Sequence, residues 1–254
     1  MRRSVIDLNC DLGEGAGTDG ELMPLISSAN VACGAHAGDE GTIRETIALA
    51  LRGAVGVGAH PGYPDRENFG RVPMKMPRAD LVAEIARQIR LVRETATAFG
   101  APLRHVKAHG ALYNEALRDE DIADAIASAI ARETGGEKAP LVFAMPGSAL
   151  EQRALALSLP VAREGFIDRA YEPDGALRSR KLPGALHVDP KVAVGQALSF
   201  VREGGVRTTD GTFLRLAVDT LCVHGDTPGA PAIATAVRQA FAEGGIAVTP
   251  VAWR

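Results

Sequence analysis

The chain has 254 residues, 46% of them apolar and 23% charged, with a net charge of −3. That is enough to bury a full core, and the Lys and Arg residues are too scattered for the clustered basic face of a nucleic-acid binder. No apolar stretch approaches the roughly 20 residues needed to span a bilayer, and the opening MRRSVIDLNCDLGEG meets acids too soon for a signal peptide, so a cytoplasmic protein is expected.

In chain order, apolar runs predict strands over 5–8, 27–33 and 55–59. Between the second and third, Asp39 caps a helix carrying Ile43, Ile47 and Leu51, and Gly53 ends it. Residues 61–76 form a turn-rich loop. Pro77 opens a long helix with Leu81, Ile85, Ile89 and Val92 on one face, stopping near Gly100. Strands over 103–107 and 141–144 flank a helix over 121–133 that Gly135 and Gly136 stop. A strand over 161–163 leads into a second long loop, 165–183. Asp189-Pro190 then begins a helix with Val194, Leu198 and Val201 inside and Gly204 as terminator. Residues 205–216 read as a hairpin about Asp210-Gly211. A strand over 220–223, a helix over 232–243 and a strand over 246–251 complete the chain.

Strand then helix, repeated without a linker, predicts parallel strands joined by helical crossovers. The expected architecture is a single α/β domain over 1–254, a TIM-like (β/α) barrel of about seven parallel strands. A doubly wound sheet has the same periodicity.

Chemistry-bearing residues gather where strands end. Four apolar runs close in His36, His60, His109 and His224, and two others in the acids Asp7, Asp11 and Glu14 and in Glu164 and Asp168. The carboxyl edge of a parallel sheet is where active sites are assembled. Asp7, Asn9 and Asp11 alternate along a strand, so all three point into the barrel, where they need partners. Lys107 lies two residues before His109 and faces the same way. Arg71, Arg169 and Arg180 lie on the long loops, where they either clamp an anion or are simply solvated. His105 and His187 do not share the strand-end placement. Cys10, Cys33 and Cys222 form no pair at metal or disulfide spacing and read as buried thiols. The stretch GAGTDG at 15–20 matches a dinucleotide motif but lacks the helix that should follow, and no Walker phosphate loop occurs.

Six segments in order resemble the LamB/YcsF family, identified as the A subunit of the prokaryotic ATP-dependent 5-oxoprolinase: IDLNCDLGE at 6–14, SANVACGAHAGD at 28–39, GAHPGYPD at 58–65 with FGR at 69–71, VKAHGALYN at 106–114, EGFIDRAY at 164–171, and LCVHGDTP at 221–228. The chain departs from the family pattern at Gly15-Ala16, Ala35, Val72 and Ala108. The resemblance implies a distorted (β/α) barrel similar to carbohydrate deacetylases and glycoside hydrolases. It implies opening of the 5-oxo-L-proline lactam to L-glutamate, coupled to ATP hydrolysis and dependent on partner subunits B and C. Asp11, Glu14, His36, His60, Lys107 and His109 are then the expected catalytic groups. Asp7, Asn9, Arg71, Asn114, Glu164, Asp168, Arg169, His224 and Asp226 are the expected substrate contacts. Two alternatives stay open. One is a metal-dependent amide or ester hydrolase, with a divalent ion on Asp11, His36 and His60 (Asp7 in place of Asp11 is the variant). The other is a non-catalytic substrate-binding subunit.

Overall fold

The computed structural model describes residues 4–134 and 138–252. Residues 1–3 of the acid-rich opening, and the helix stop expected at Gly135 and Gly136, lie outside the described residues. The elements run β1 (Val5–Leu12), α1 (Asp19–Leu22), β2 (Ser28–Ala32), α2 (Glu40–Arg52), β3 (Gly56–His60), α3 (Arg78–Ala98), β4 (His105–Lys107), α4 (Gly110–Glu115), α5 (Glu120–Glu133), β5 (Leu141–Ala144), α6 (Ala149–Ala156), β6 (Val161–Phe166), α7 (Pro190–Glu203), β7 (Gly205–Arg207), β8 (Phe213–Arg215), β9 (Thr220–His224), α8 (Ala230–Glu243) and β10 (Ala247–Val248).

Strands β1 to β6 and β9 pair in parallel in that order, and β9 returns to β1 to close a seven-stranded barrel. The short β10 pairs with the first residues of β1, Val5 and Ile6. β7 and β8 form the expected antiparallel hairpin outside the barrel. The barrel was expected, and the doubly wound alternative is excluded by the β1–β9 ladder, which runs from Asp7↔Thr220 to Asp11↔His224.

Alternation along the strands sorts the core. Ile6, Leu8, Cys10 and Leu12 of β1 face outward into the apolar layer beneath the helices. A smaller plug of Leu141, Phe143 and Ala162, with Val251 against it, packs separately. Each large apolar side chain so buried contributes about 1.5–3 kcal/mol. Two strands outrun their expected ends by three residues or more: β1 continues to Leu12 and β6 to Phe166. Polar inward residues do not end these strands, because the barrel interior supplies their partners.

Helix boundaries follow local chemistry. Asp39, Asp119 and Asp189 each accept hydrogen bonds from backbone N–H groups of the first turn, and Gly204 ends α7 at φ 75°. The expected face of α3 (Leu81, Ile85, Ile89 and Val92) is buried. In α7 the inner face is Ala193, Ala197, Phe200 and Val201, while Val194 and Leu198 are only partly covered. The small alanines let that helix lie closer to the barrel. Leu51 of α2 is likewise only partly buried, with Ala50 turned inward instead.

Candidate active site

β1 sends Asp7, Asn9 and Asp11 into the barrel, and each finds partners from strands distant in sequence. Asp7 accepts hydrogen bonds from Ser27 Oγ (2.6 Å), Ser28 Oγ (2.8 Å) and Thr220 Oγ1 (2.5 Å). Burial dominates nonetheless and pushes its carboxyl up to about 6. One layer higher, Asn9 Nδ2 donates to Glu164 Oε1 (3.0 Å) and Thr220 Oγ1 (2.7 Å). Asn30 Nδ2 donates to Asn9 Oδ1 (2.8 Å) and Asp11 Oδ1 (2.7 Å), and Asn30 Oδ1 lies 2.7 Å from His105 Nε2. Burial, aided by nearby Lys107, lowers the His105 pKa to about 3. The ring is therefore neutral and donates Nε2–H to Asn30. It stacks on Phe143 at 4.3 Å and occupies the space that a side chain at Gly58 would need.

Lys107 stands above this layer. Its Nζ lies 2.8 Å from Asp11 Oδ1, 3.1 Å from Glu164 Oε1 and 3.0 Å from Cys222 Sγ. Burial opposes its charge, but Asp11 and Glu164 outweigh it and hold the ammonium protonated well above the usual lysine range. Tyr113 donates to Glu164 Oε2 (2.6 Å), so both oxygens of that carboxylate are engaged.

His36, His60 and His109 converge beside Lys107. His60 Nδ1 lies 2.8 Å from the Lys107 carbonyl, and His109 Nε2 lies 2.8 Å from the Phe69 carbonyl. A carbonyl only accepts, so each ring carries its proton on that outer nitrogen. The inner nitrogens, His60 Nε2 and His109 Nδ1, then face each other at 2.9 Å. Glu14 Oε1 lies 3.1 Å from His109 Nδ1, 3.1 Å from His36 Nε2 and 3.6 Å from His60 Nε2, and Asp11 Oδ2 lies 3.3 Å from His60 Nε2. The His36 and His109 rings stack at 3.8 Å with 3° between their planes. Burial opposes the charge on Glu14, yet the His109 and His36 nitrogens hold its carboxyl well below the usual range. Burial lowers His36 to about 4, whereas Asp11 overcomes burial and raises His60. Glu14, His36, His60 and His109 each bring one ligand atom to within 4.8 Å of the others, a donor set suited to a metal ion; Asp11, Cys222 and His224 form a second such group.

A cavity of about 420 Å³ opens over these groups. Asp11, His60, Lys107, His109 and Phe166 line its inner end, and Arg71, Asn114, Arg169, Arg180 and His224 lie nearer its mouth. His224 Nδ1 is 3.0 Å from Asp168, which also accepts from the His224 backbone N–H (3.0 Å) and Thr227 Oγ1 (2.6 Å). Burial would raise Asp168, but His224 and these donors hold it well below the carboxylate range. Asp226 bridges Arg71 (2.5 Å) and Arg180 (3.1 Å). Arg169 is buried; it donates to the Arg178 carbonyl (2.7 Å), while its Nε has no hydrogen-bond partner among the described residues. Burial, with Arg180 beside it, lowers Arg169 to about 10.

All the expected site residues except Asp7, which sits toward the amino end of the strands with Ser28 and Thr220, thus lie in or around one barrel end, in two tiers. Glu14 and His36 sit behind His60 and His109 and do not line the cavity; nor do Asn9, Glu164, Asp168 and Asp226, which hold the groups that do, nor Asp7, which bonds Ser27, Ser28 and Thr220 below them. His105, not expected here, belongs to the interior network, and Cys222, expected only as a buried thiol, touches Lys107. Asn30, Tyr113 and Thr220 also join the network without having been expected in it. The usable signal is parity: His105 precedes Lys107 by two residues, and Thr220, Cys222 and His224 alternate in the same way. His187 stays outside, paired with Gln196 Oε1 at 3.2 Å.

Comparison with known proteins agrees with this architecture. The chain is 47% identical over 248 residues to the 5-oxoprolinase A subunit of Chloroflexus aggregans, covering 96% of this chain and 97% of the relative. It is 44% identical over 248 residues to the protein of the same name from Heliobacterium modesticaldum, covering 96% of each. Among solved structures, a lactam utilization protein from Thermus thermophilus superposes with a TM-score of 0.88 at 42% identity, covering 96% of this chain and 98% of that one. A T48 deacetylase solved with substrate shares the fold alone, with a TM-score of 0.50 at 12% identity over 98% of this chain and 89% of that one. Among the described residues, no helix is long and apolar enough to cross a membrane. The model of the LamB/YcsF family matches residues 6–253, and the chain belongs to that family.

Proposed function

We propose that this chain is the A subunit of an ATP-dependent 5-oxoprolinase, opening the lactam of 5-oxo-L-proline to L-glutamate together with subunits B and C while ATP is hydrolysed to ADP and phosphate. The names of its relatives support the reading. The observation that carries it is Lys107, a buried ammonium at the inner end of a cavity whose mouth carries three arginines. A cytoplasmic location follows from the ATP requirement.

Opening a lactam needs a water molecule at the carbonyl carbon, charge stabilisation at the amide oxygen, and a proton for the departing nitrogen. Phosphorylation of the amide oxygen by ATP, the co-substrate, releases ADP and makes that carbon the better electrophile; addition of water and departure of the nitrogen leave the acyl phosphate of glutamate, which a second water hydrolyses to glutamate and phosphate. Lys107 meets the negative charge that develops on that oxygen or its phosphoryl group. Asp11, a carboxylate at the inner end of the cavity, takes the proton from water and returns it to nitrogen. Asp11 and Glu164 hold Lys107 in place, and His36 holds Glu14. Arg169 and Arg71 clamp the substrate carboxylate, with Asn114 and the His224–Asp168 pair beside them and Asp226 balancing Arg71 and Arg180.

The test is co-expression with the candidate partner subunits and an assay of ATP-dependent glutamate release from 5-oxoproline. Release is expected, and Lys107→Met should lower it about 100-fold or more. An intact complex that releases no glutamate, or a folded Lys107→Met variant with full coupled activity, overturns the proposal.

A further inference from the structure

We infer that His60 Nε2, His109 Nδ1 and the Glu14 carboxylate form a binding site for one divalent transition-metal ion of the zinc class. The inference deepens the proposed function by naming what sits at the inner end of its cavity, but the binding itself does not depend on the lactam reading.

The first argument is an imbalance of protons. The outer nitrogens of His60 and His109 both donate to carbonyls, so with both rings neutral their two inner lone pairs meet at 2.9 Å. A carboxylate oxygen of Glu14 faces the same point. Three electron-rich atoms turned on one buried point need a positive charge between them. A single shared proton bridges only one of the three contacts; a metal ion serves all of them.

The second argument is distance. Ligands about 2.0–2.1 Å from a tetrahedral ion stand roughly 3.3 Å from one another. The three separations here are 2.9, 3.1 and 3.6 Å, which bracket that value. Side-chain shifts of a few tenths of an ångström would complete the geometry.

The third argument is the surrounding shell. Metal-bound imidazoles characteristically donate their other N–H to a carbonyl or carboxylate, and ligating carboxylates are themselves hydrogen-bonded. His60 and His109 meet the first condition, and His36 Nε2, 3.1 Å from Glu14, meets the second. His36 is a positioning residue rather than a ligand. Its ring lies flat on His109 at 3.8 Å with 3° between the planes, and two parallel rings cannot both aim in-plane lone pairs at one ion. Asp11 Oδ1 is held by Lys107 and Asn30, while Oδ2 lies 3.3 Å from His60 Nε2 and borders the site. Two imidazoles and one carboxylate leave a fourth position, and His60 and His109 both line the cavity, so that position faces the substrate. An ion there would polarise a carbonyl or a water molecule.

Chelator-stripped full-length protein, reloaded separately with Zn²⁺ or Co²⁺ and freed of excess, tests this by elemental analysis and by the visible absorption of bound Co²⁺. One ion per chain, and a Co²⁺ spectrum of four-coordinate nitrogen and oxygen ligation, are expected. Glu14→Gln, His60→Ala and His109→Ala should each abolish stoichiometric binding, whereas His36→Ala should keep one ion with affinity reduced about 10–100-fold. Circular dichroism checks that each variant folds; the wild-type Co²⁺ spectrum needs no variant. Wild type that retains no ion, or stoichiometric binding that survives in folded His60→Ala and His109→Ala, overturns the inference. If the metal-free protein with its partners still releases glutamate at the full rate, the ion has no part in the reaction while the proposed function stands. If the ion binds and no glutamate forms, the proposed function fails and the site stands.

Discussion

Placing a methyl group at Gly58 should test the interior network directly. A Cβ there would lie 2.1 Å from His105 Nε2 and 2.2 Å from Cδ2, whereas carbon-to-atom contacts settle at about 3.5 Å or more. The ring would have to retreat by over an ångström. It cannot do so and keep both its Asn30 hydrogen bond (2.7 Å) and its Phe143 stack (4.3 Å). Overpacking costs about 1–3 kcal/mol, and stranding the buried Asn30 oxygen costs about 1–3 kcal/mol more. Gly58→Ala should therefore destabilise by about 2–6 kcal/mol. With the ring removed, the same methyl enters vacated space. In a His105→Ala background, Gly58→Ala should be neutral, or stabilising by up to about 1 kcal/mol through the unfolded chain. The assay is a double-mutant cycle from denaturant unfolding followed by circular dichroism, run near pH 8, where His105 is neutral in both states. The expected coupling energy is at least about 2 kcal/mol. Additivity within about 0.5 kcal/mol would refute the argument, because independent sites behave that way.

Three further outcomes follow from the site. Asp7 has a folded pKa near 6 against 3.8 for the ordinary group, so the native state binds the proton more tightly than the unfolded chain does. The resulting penalty is absent below about pH 4 and complete above about pH 6, and stability falls by up to about 3 kcal/mol across that window. Asp7→Asn should remove that slope, so its stability relative to wild type should improve between pH 4 and 7; a pH-independent difference counts against this. Lys107→Met leaves Asp11 and Glu164 buried without their counter-charge and should cost about 3–5 kcal/mol in denaturant unfolding. That cost should shrink in acid, where the carboxylates can take up protons. Arg169→Met, assayed in the complex with its partners, should raise KM for 5-oxoproline about 10–100-fold with little change in kcat, the mark of a group that binds ground and transition states alike; a fall in kcat at constant KM contradicts its assignment to the carboxylate.

The barrel was legible because the physics that builds it is local. Apolar runs of strand length, Asp39 and Asp189 as caps, and Gly204 as a left-handed terminator each act within a few residues. Helix α6, absent from the expected elements, carries an equally local signal: Ser148 accepts from the Glu151 N–H while Glu151 accepts from the Gly147 N–H, a variant of the capping box. The interior network was legible only by parity. Lys107 meets Cys222 across 115 positions of sequence, and His105 meets Asn30 across 75. No spacing rule links such pairs; the closure of the barrel does. His105 and His187 both lie away from strand ends, yet His105 joins the interior network because it begins a strand whose inward face also carries Lys107.

The two ends of the cavity differ in sign, and that difference orients a ligand. Asp11, Glu14 and Glu164 crowd the inner end against one ammonium, Lys107, so the balance there is negative without a bound cation and about zero with one divalent ion. At the mouth, Arg71 and Arg180 share Asp226, and with Arg169 they outnumber the two carboxylates there, Asp226 and Asp168, so the balance is positive. On the proposed reading the 5-oxoproline carboxylate must then face the mouth, which sends the lactam carbonyl inward to Lys107 and the imidazole cluster. The same field makes the reverse pose costly, since it would set a carboxylate among three others. A substrate amide in place of the acid should lose the attraction of the arginines while keeping its carbonyl contacts. Comparing 5-oxoproline with its carboxamide therefore separates the two ends: a KM that rises for the carboxamide in wild type, but not in Arg169→Met, ties the carboxylate to that arginine. Equal discrimination in both proteins would place the carboxylate elsewhere and undo this orientation.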